Sequence, residues 1–269
     1  MTRIELERRL CEGGIPDAAW EARLLFCHVT GISAAEALAF PERAGDENAL
    51  AVLAARRIAR EPLQYILGET GFYNEIYTVR PGVLIPRSDT ELLVELAIRR
   101  LPQNAHFADF CTGSGCIAVS VLKNRPDLTA EAFDLSPDAV SLAKENAERN
   151  GVSDRITVAR CNLPEANFPA CRFAAILSNP PYIPSAVVPT LSPEVQREPA
   201  LALDGGEDGM DFYRAFLARH RGVLQNGGFF LFEIGYDQRE AILSLGNSFK
   251  MQTTVYNDIE NRPRCALLC

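Results

Sequence analysis

Strand-like and helix-like segments alternate along the chain after Pro102, and this alternation constrains the fold more than any other feature. Segments with the apolar, β-branched character of buried strands lie at about 105–111, 129–135, 156–162, 173–179 and 227–234. Segments with the length and pattern of helices lie at about 115–124, 137–150, 208–221 and 236–246. The alternation predicts a mostly parallel sheet with helices on both faces. Two final segments, about 251–258 and 264–269, are expected to form an edge hairpin, which gives seven strands.

The first 67 residues lack this alternation of strands and helices. Their pattern predicts a small bundle of short amphipathic helices. One helical run, 18–30, ends at Gly31, and another spans about 48–60. Between them, Ser33 and Glu36 have the spacing of a capping box, in which each side chain accepts a backbone N–H of the other residue. The bundle offers no catalytic groups, so it is either a structural cap or the site that holds a macromolecular partner.

A short aromatic and β-branched stretch follows at 68–82. Gly71 and Asn74 are turn residues within it, so it predicts a β-hairpin that links the bundle to a larger domain at 83–269. Within that domain, a Pro-rich loop at 183–207 has the length of a lid or substrate loop.

The larger domain is expected to open with a helix that runs to about residue 101. Ser88 and Glu91 again have capping-box spacing, which predicts that they cap its start. Arg87 immediately precedes this helix and is therefore a candidate to point into a cleft.

Composition narrows the functional class. The formal net charge is −8, whereas proteins that mainly hold a nucleic-acid backbone usually carry a basic face. No apolar run reaches the roughly 18 residues of a membrane span, and the N-terminus lacks the apolar core of a signal peptide. The 8 cysteines form no C-x-x-C pair and the 3 histidines are isolated. We therefore expect a cytoplasmic protein with reduced thiols, without bound metal, membrane or nucleic acid.

The first strand of the alternating region runs into a glycine-containing turn that opens a helix. The turn residues are Cys111, Thr112, Gly113, Ser114 and Gly115. Glycines there allow a ligand to approach the backbone and the free N–H groups of the helix. About 20 residues further on, the second strand ends in Asp134, where nucleoside-binding α/β units place the acid that binds both ribose hydroxyls. Dinucleotide-binding turns favour a third glycine where Ala118 stands, so the pattern predicts an adenosine-type cofactor.

The fourth strand ends in Asn179, Pro180, Pro181 and Tyr182. Two consecutive prolines fix φ and remove two backbone donors, so the carbonyl groups of Asn179 and Pro180 are held stiffly without a competing N–H. With the side-chain amide and the flat ring, they suit a planar NH2 group held by both of its hydrogens. A Pro-Pro turn alone is better explained as an ordinary strand end with a Pro-rich turn, so the interpretation depends on the features upstream.

Together, the glycine-containing turn, the acid after the second strand and Asn-Pro-Pro-Tyr after the fourth resemble S-adenosylmethionine-dependent amino-group methyltransferases. Further motifs are similar to those of the PrmC/HemK family, which methylates the glutamine N5 atom in the Gly-Gly-Gln motif of peptide chain release factors. These motifs are PLQYILG at 62–68, VLIPR at 83–87, NPPYIP at 179–184, EP at 198–199, ALDGGEDG at 202–209 and FEIG at 232–235. The resemblance implies a Rossmann-like class I methyltransferase domain, S-adenosylmethionine as cofactor and release factors as partners. We also expect a monomer.

The same resemblance implies roles for individual residues. The methionine part of the cofactor is expected to contact the turn residues Cys111 to Gly115, and its ribose Asp134. Its adenine is expected to lie beside Asn162 and Leu163. The target glutamine is expected to contact Asn179, which also touches the cofactor, together with Pro180, Pro181, Tyr182 and Arg87. The family usually has glycine in place of Cys111, an acid in place of Asn162 and often an aromatic residue in place of Leu163.

The chemistry of an amide suggests how these residues act. An amide nitrogen is a poor nucleophile because its lone pair is delocalised. The Asn179 side-chain oxygen and the Pro180 carbonyl would accept both N–H hydrogens, aim the nitrogen and stabilise the positive charge that grows on it. Tyr182 would pack on the amide plane. No general base is needed, because a methylated amide cation loses its proton readily.

Three other functions share part of this signature. A DNA adenine-N6 methyltransferase also acts on a planar NH2 group, although such enzymes flip the base and usually carry a basic recognition domain. A methyltransferase for a ribosomal-protein glutamine would need the same catalytic motifs. A cofactor-binding protein without catalysis would keep the glycine-containing turn and Asp134.

Overall fold

The computed structural model describes the whole chain, Met1–Cys269, which divides into two compact units. The first comprises Met1–Glu69 together with Ser192–Arg197. The second comprises Thr70–Leu191 and Glu198–Cys269. The chain thus leaves the second unit for six residues in the middle of its long loop. The assignment of 1–67 to partner binding stays a prediction.

The first unit is helical, and its helices pack around one apolar cluster. They are α1 Arg3–Glu12, α2 Ala18–Thr30, α3 Ala34–Ala39, α4 Glu47–Ile58 and α5 Leu63–Leu67. Leu6, Leu25 and Phe26 are among the fully buried members of the cluster. The predicted capping box is confirmed, because Ser33 Oγ accepts from Glu36 N and Glu36 Oε2 accepts from Ser33 N at 2.9 Å.

A buried ion cluster ties the inserted segment into this helical unit. The side chain of Arg57 is only 7% exposed, and its Nε lies 2.6 Å from Glu21 Oε2. Its Nη1 lies 3.0 Å from Oε1 of Glu194, which also accepts from Arg60 at 3.3 Å. A guanidinium taken out of water costs several kcal/mol unless it is paired. The two carboxylates, one from α2 and one from the insert, offset that cost.

The second unit contains a short hairpin and a seven-stranded sheet. The hairpin strands are β1 Glu69–Phe72 and β2 Glu75–Thr78, as predicted. The sheet strands are β3 His106–Phe110, β4 Thr129–Asp134, β5 Ile156–Arg160, β6 Phe173–Ser178, β7 Leu224–Glu233, β8 Thr253–Asn257 and β9 Pro263–Leu268. Their order is β5-β4-β3-β6-β7-β9-β8. Neighbours from β5 to β7 are parallel and β9 is antiparallel to both β7 and β8, which confirms the mostly parallel sheet and its edge hairpin.

Helices cover both faces of the sheet. They are α6 Glu91–Arg100, α7 Cys116–Asn124, α8 Pro137–Arg149, α9 Asp211–His220 and α10 Arg239–Ser248. Every residue of β6 is buried, as expected for a central strand covered on two sides. Leu177 belongs to the apolar cluster on one face and Ile176 to the cluster on the other, because successive side chains point in opposite directions.

The strand order reverses between β3 and β6, and this reversal decides where a ligand can bind. The chain after β3 continues to β4 on one side, whereas β6 lies on the other side. In open α/β sheets the carboxyl ends of such strands diverge and leave a crevice. The glycine-containing turn follows β3 and Asn179 follows β6, so both lie at this crevice.

One local prediction for the second unit is wrong. Ser88 does not cap α6: residues Ser88–Thr90 form a 3-10 turn, and neither that turn nor α6 has a side-chain cap. The Glu91 carboxylate instead accepts from Tyr73 N at 2.7 Å, because the hairpin brings an unpaired N–H group to it.

No helix in the structure combines the length and hydrophobicity needed to cross a bilayer.

Candidate active site

A cavity of about 230 Å³ lies at the carboxyl ends of β3, β4 and β6. Ten of the predicted site residues line it: Arg87, Cys111, Thr112, Gly113, Ser114, Asp134, Asn162, Leu163, Asn179 and Pro181. Three predicted residues do not, namely Gly115, Pro180 and Tyr182. The topology therefore brings most of the predicted set to one place. Of the exceptions, Pro180 is buried, and Gly115 and Tyr182 are described below.

The Asp134 carboxylate joins the glycine-containing turn to the end of β4. Its Oδ2 accepts from Gly113 N at 2.9 Å, and its Oδ1 accepts from Ser136 N at 2.9 Å. Burial raises the pKa of Asp134, and the backbone N–H groups oppose that shift. A carboxylate has about four lone-pair sites. The carboxylate also lines the cavity, so its remaining acceptor capacity suits the vicinal hydroxyls of a ribose.

Asp109, in β3, hydrogen-bonds residues of the same turn and of the helix that follows it. It was not among the predicted site residues. It is fully buried, and its Oδ2 accepts from the Thr112 hydroxyl at 2.6 Å and from Ala118 N at 3.3 Å. Burial raises the pKa of Asp109 to about 7. The signal available in the sequence was an acid inside an otherwise apolar strand.

Two turn residues have positive φ, for different reasons. Cys111 has φ 58°, a conformation that costs a side chain with a Cβ roughly 1–2 kcal/mol. That conformation explains why glycine suits this position. Gly115 has φ 82°, and a Cβ on it would lie 3.1 Å from the Cβ of Ala143 in α8. Gly115 therefore allows α7 and α8 to pack closely instead of facing the cavity.

The polar groups around Asn179 leave two acceptors unused. The Asn179 side-chain nitrogen donates to the Thr90 hydroxyl at 3.2 Å. Neither the Asn179 side-chain oxygen nor the Pro180 carbonyl accepts a hydrogen bond from the protein. These are the two oxygens that were predicted to hold an NH2 group. Asn179 lines the cavity, whereas Pro180 is buried and does not, so the role of the Pro180 carbonyl stays a prediction.

Tyr182 is held from two sides beyond the cavity wall. Its hydroxyl donates to Glu233 Oε1 at 3.2 Å, and its main-chain carbonyl accepts from the Gln238 amide at 3.0 Å. Burial and the nearby Glu233 charge raise the pKa of Tyr182, so the phenol stays protonated. Glu233 was not among the predicted site residues, although it lies in the FEIG motif.

Arg87 reaches the cavity wall, where it has a carboxylate partner. Its Nη2 pairs with Oε1 of Glu198, and the second oxygen of Glu198 accepts from Ile85 N at 3.0 Å. The Glu198 side chain is only 2% exposed, so the pair is anchored on the protein side. A role for Arg87 in substrate binding stays a prediction.

Gly205 permits the close approach of two loops, which gives a testable expectation. A Cβ there would lie 2.7 Å from Tyr182 Cα and 2.8 Å from the Pro181 carbonyl oxygen, and both are backbone atoms that cannot rotate away. We expect Gly205→Ala to lower the free energy of unfolding by about 1–3 kcal/mol. Denaturant titration measures this change.

The matched control for that variant is Gly222→Ala, because a Cβ at Gly222 meets nothing within 4 Å. We expect its effect to be about 0.5 kcal/mol or less. Equal effects of the two substitutions would contradict the steric explanation.

Comparison with known proteins extends this description. The family description "PrmC N-terminal domain" matches residues 3–68, and "Methyltransferase small domain" matches residues 88–191. A solved structure, the tRNA m1G37 methyltransferase of M. jannaschii, is similar in fold, with a TM-score of 0.50 and 14% identity. The similarity covers 74% of this chain and 55% of that chain.

Two curated relatives carry the same name. The release factor glutamine methyltransferase of Geobacter sulfurreducens is 42% identical over 240 residues, which is 88% of this chain and 84% of that protein. The release factor glutamine methyltransferase of Moorella thermoacetica is 38% identical over 273 residues, or 98% and 95% of the two chains. The chain belongs to the release factor glutamine methyltransferase family.

Proposed function

We propose that this protein transfers a methyl group from S-adenosylmethionine to the side-chain nitrogen N5 of the glutamine in the Gly-Gly-Gln motif of peptide chain release factors. The observation that carries the proposal is the unused acceptor Asn179 Oδ1 at the wall of a cavity suited to an adenosine cofactor, next in sequence to the Pro180 carbonyl, which also accepts no hydrogen bond. Family membership supports the choice of glutamine.

The residues at the cavity fit S-adenosylmethionine. The Asp134 carboxylate lines the cavity and can accept from the ribose hydroxyls. Asn162 and Leu163 line the part of the wall assigned to adenine, and the backbone of the glycine-containing turn is left for the methionine part. When bound, the cofactor supplies an electrophilic methyl group on a sulfonium.

The protein contributes position and electrostatics. The Asn179 side-chain oxygen and the carbonyl of the rigid Pro180 hold both hydrogens of the target NH2 group. This grip fixes the direction from which the nitrogen can react. The same oxygens stabilise the positive charge that grows on nitrogen. Burial and the Glu233 charge keep the Tyr182 phenol neutral, so its ring is an uncharged surface for the amide plane.

We propose further that the protein acts in the cytoplasm as a monomer, without binding nucleic acid. The helices of residues 1–67 contact the release factor in this proposal. The match of residues 3–68 to the PrmC N-terminal domain supports the contact with the release factor, and the net charge of −8 supports the absence of nucleic-acid binding.

Incubation with methyl-labelled cofactor tests the proposal. The substrates are a release factor, a ribosomal-protein mixture and adenine-containing DNA, followed by mass mapping of the modified residue. We expect label on the glutamine of Gly-Gly-Gln. Label on DNA alone, or on a ribosomal protein alone, would replace the proposal with the corresponding alternative. Cofactor binding without any transfer would indicate a non-catalytic protein.

A further inference from the structure

A buried carboxyl group lies behind the Asn-Pro-Pro-Tyr turn and has no assigned role. Glu233 ends β7 and is 1% exposed. Its Oε1 accepts from the Tyr182 hydroxyl at 3.2 Å, whereas its Oε2 has no conventional hydrogen-bond partner. The Thr90 hydroxyl faces the same carboxyl closely enough to lower its pKa by hydrogen bonding, against the larger effect of burial.

Thr90 lies between this carboxyl and the side chain of Asn179. It is 2% exposed, and its hydroxyl accepts from the Asn179 side-chain nitrogen at 3.2 Å. A hydroxyl has one proton to donate. If Thr90 gives that proton to the Glu233 carboxylate, it can only accept from Asn179, and Asn179 must then turn its NH2 end toward Thr90.

The orientation of Asn179 matters because its two ends are interchanged by a half-turn of the amide. With the NH2 end against Thr90, the oxygen is available to a target NH2 group. In the opposite orientation, the nitrogen of Asn179 would face the target hydrogens and repel them. Packing distinguishes the two ends poorly, because they have almost the same shape. Hydrogen bonding has to select one.

We propose that Thr90 and Glu233 are positioning residues that hold the Asn179 side-chain amide with its oxygen toward the target NH2 group. The inferred orientation rests on the contact of the Asn179 side-chain nitrogen with Thr90 and on the buried, unpartnered oxygen of Glu233. Its effect on turnover rests on the proposed function.

The contacts from Glu233 through Thr90 to Asn179, here called the relay, are sensitive to pH because a protonated Glu233 can donate a hydrogen bond. It would then donate to Thr90, whose own proton would be free for Asn179 Oδ1, and the amide could turn. Burial raises the pKa of Glu233 to about 7, so the ionised, acceptor-only state is lost as the pH falls through about 7. The other titratable or charged groups that face this carboxyl are Arg264, Asp89, Tyr182, Tyr213, Cys116 and Cys265. Arg264 favours the ionised form and is paired with Asp89 at 3.0 Å.

Thr90→Val tests the relay because it removes the hydroxyl and keeps the side-chain shape. We expect kcat on a release factor to fall by about 10- to 100-fold, since a preorganised acceptor becomes free to turn. Thr90→Ser should recover to within about threefold of the wild type, because it restores the hydroxyl. Cofactor affinity, measured by calorimetry, should change by less than about tenfold in both variants. Thr254→Val, on the exposed edge strand β8, is the matched control and should leave kcat unchanged.

A second readout does not depend on activity. In protein labelled with 15N-asparagine, the Asn179 side-chain NH2 signal is assigned by its loss in Asn179→Asp. We expect one of its protons to be protected from exchange at pH 8 and the signal to titrate with a midpoint near 7. Protection should be lost in Thr90→Val, and the titration should be absent in Glu233→Gln.

The two readouts separate this inference from the proposed function. If the wild type methylates no release factor, the proposed function fails, and the NMR signal still decides whether the relay exists. Wild-type kcat in Thr90→Val, a Thr90→Ser variant no better than Thr90→Val, or an Asn179 signal identical in wild type and Thr90→Val would each overturn the inference.

Discussion

Asn179→Ala is expected to reduce methyl transfer to a release factor by about 10²- to 10³-fold. The substitution removes one of the two oxygens that hold the target NH2 group and leaves the Pro180 carbonyl as the only acceptor. It should affect KM less than kcat, because the contact is strongest when positive charge has developed on the target nitrogen. Single-turnover assays with labelled cofactor measure the loss.

The fold should survive this change. Asn179 is only partly buried and makes one side-chain hydrogen bond, to Thr90, so its removal should cost about 1 kcal/mol of stability. Asn247→Ala, on the exposed face of α10, is the matched control and should retain full activity. Near-normal turnover in Asn179→Ala would exclude the mechanism proposed above.

Asp134→Ala is expected to weaken binding of S-adenosylmethionine by about 10²- to 10⁴-fold. A hydrogen bond to a charged group contributes about 1.5–3 kcal/mol, and the ribose offers two hydroxyls. The loss has a second cause within the protein, because Gly113 N and Ser136 N lose their shared acceptor and the turn becomes less ordered. Calorimetric titration with the cofactor measures the change.

Asp138→Asn is the control for the loss of a negative charge close to Asp134 in sequence. Asp138 is exposed in the first turn of α8, so cofactor affinity should change by about threefold at most. Asp134→Asn adds a further comparison, since it keeps an acceptor oxygen without the charge and should fall between wild type and Asp134→Ala. A dissociation constant for Asp134→Ala close to that of the wild type would contradict the ribose assignment.

The sheet and its glycine-containing turn could be predicted because their signals are local. Strand periodicity, the turn residues and Asp134 all lie within short windows, and the family motifs predict roles for them. The contacts that orient the site join residues that are far apart in sequence. Asn179 hydrogen-bonds Thr90 at a sequence separation of 89 residues, and Arg87 pairs with Glu198 at a separation of 111. No pattern of spacing specifies which of several buried polar residues will meet.

The wrong prediction of a cap at Ser88 has the same origin. The spacing of Ser88 and Glu91 matches a capping box, yet Glu91 accepts from Tyr73 N instead, because a tertiary contact provides a donor that local sequence does not show. At Gly115 the structure shows close packing against Ala143, which its place in the turn sequence does not reveal, and its contact with the cofactor stays a prediction. Local rules identify the residue types that a site needs, and packing decides which of them face it.

The six residues 192–197 have a consequence for attempts to dissect the protein. The backbone crosses between the two units three times, after residues 69, 191 and 197, so no single cleavage releases either unit complete. A fragment that ends at Glu69 would lack Glu194 and leave Arg57 with Glu21 alone. Such a fragment should be less stable than the same helices in the intact protein. A peptide of residues 192–197 supplied in trans is the natural complement for restoring them.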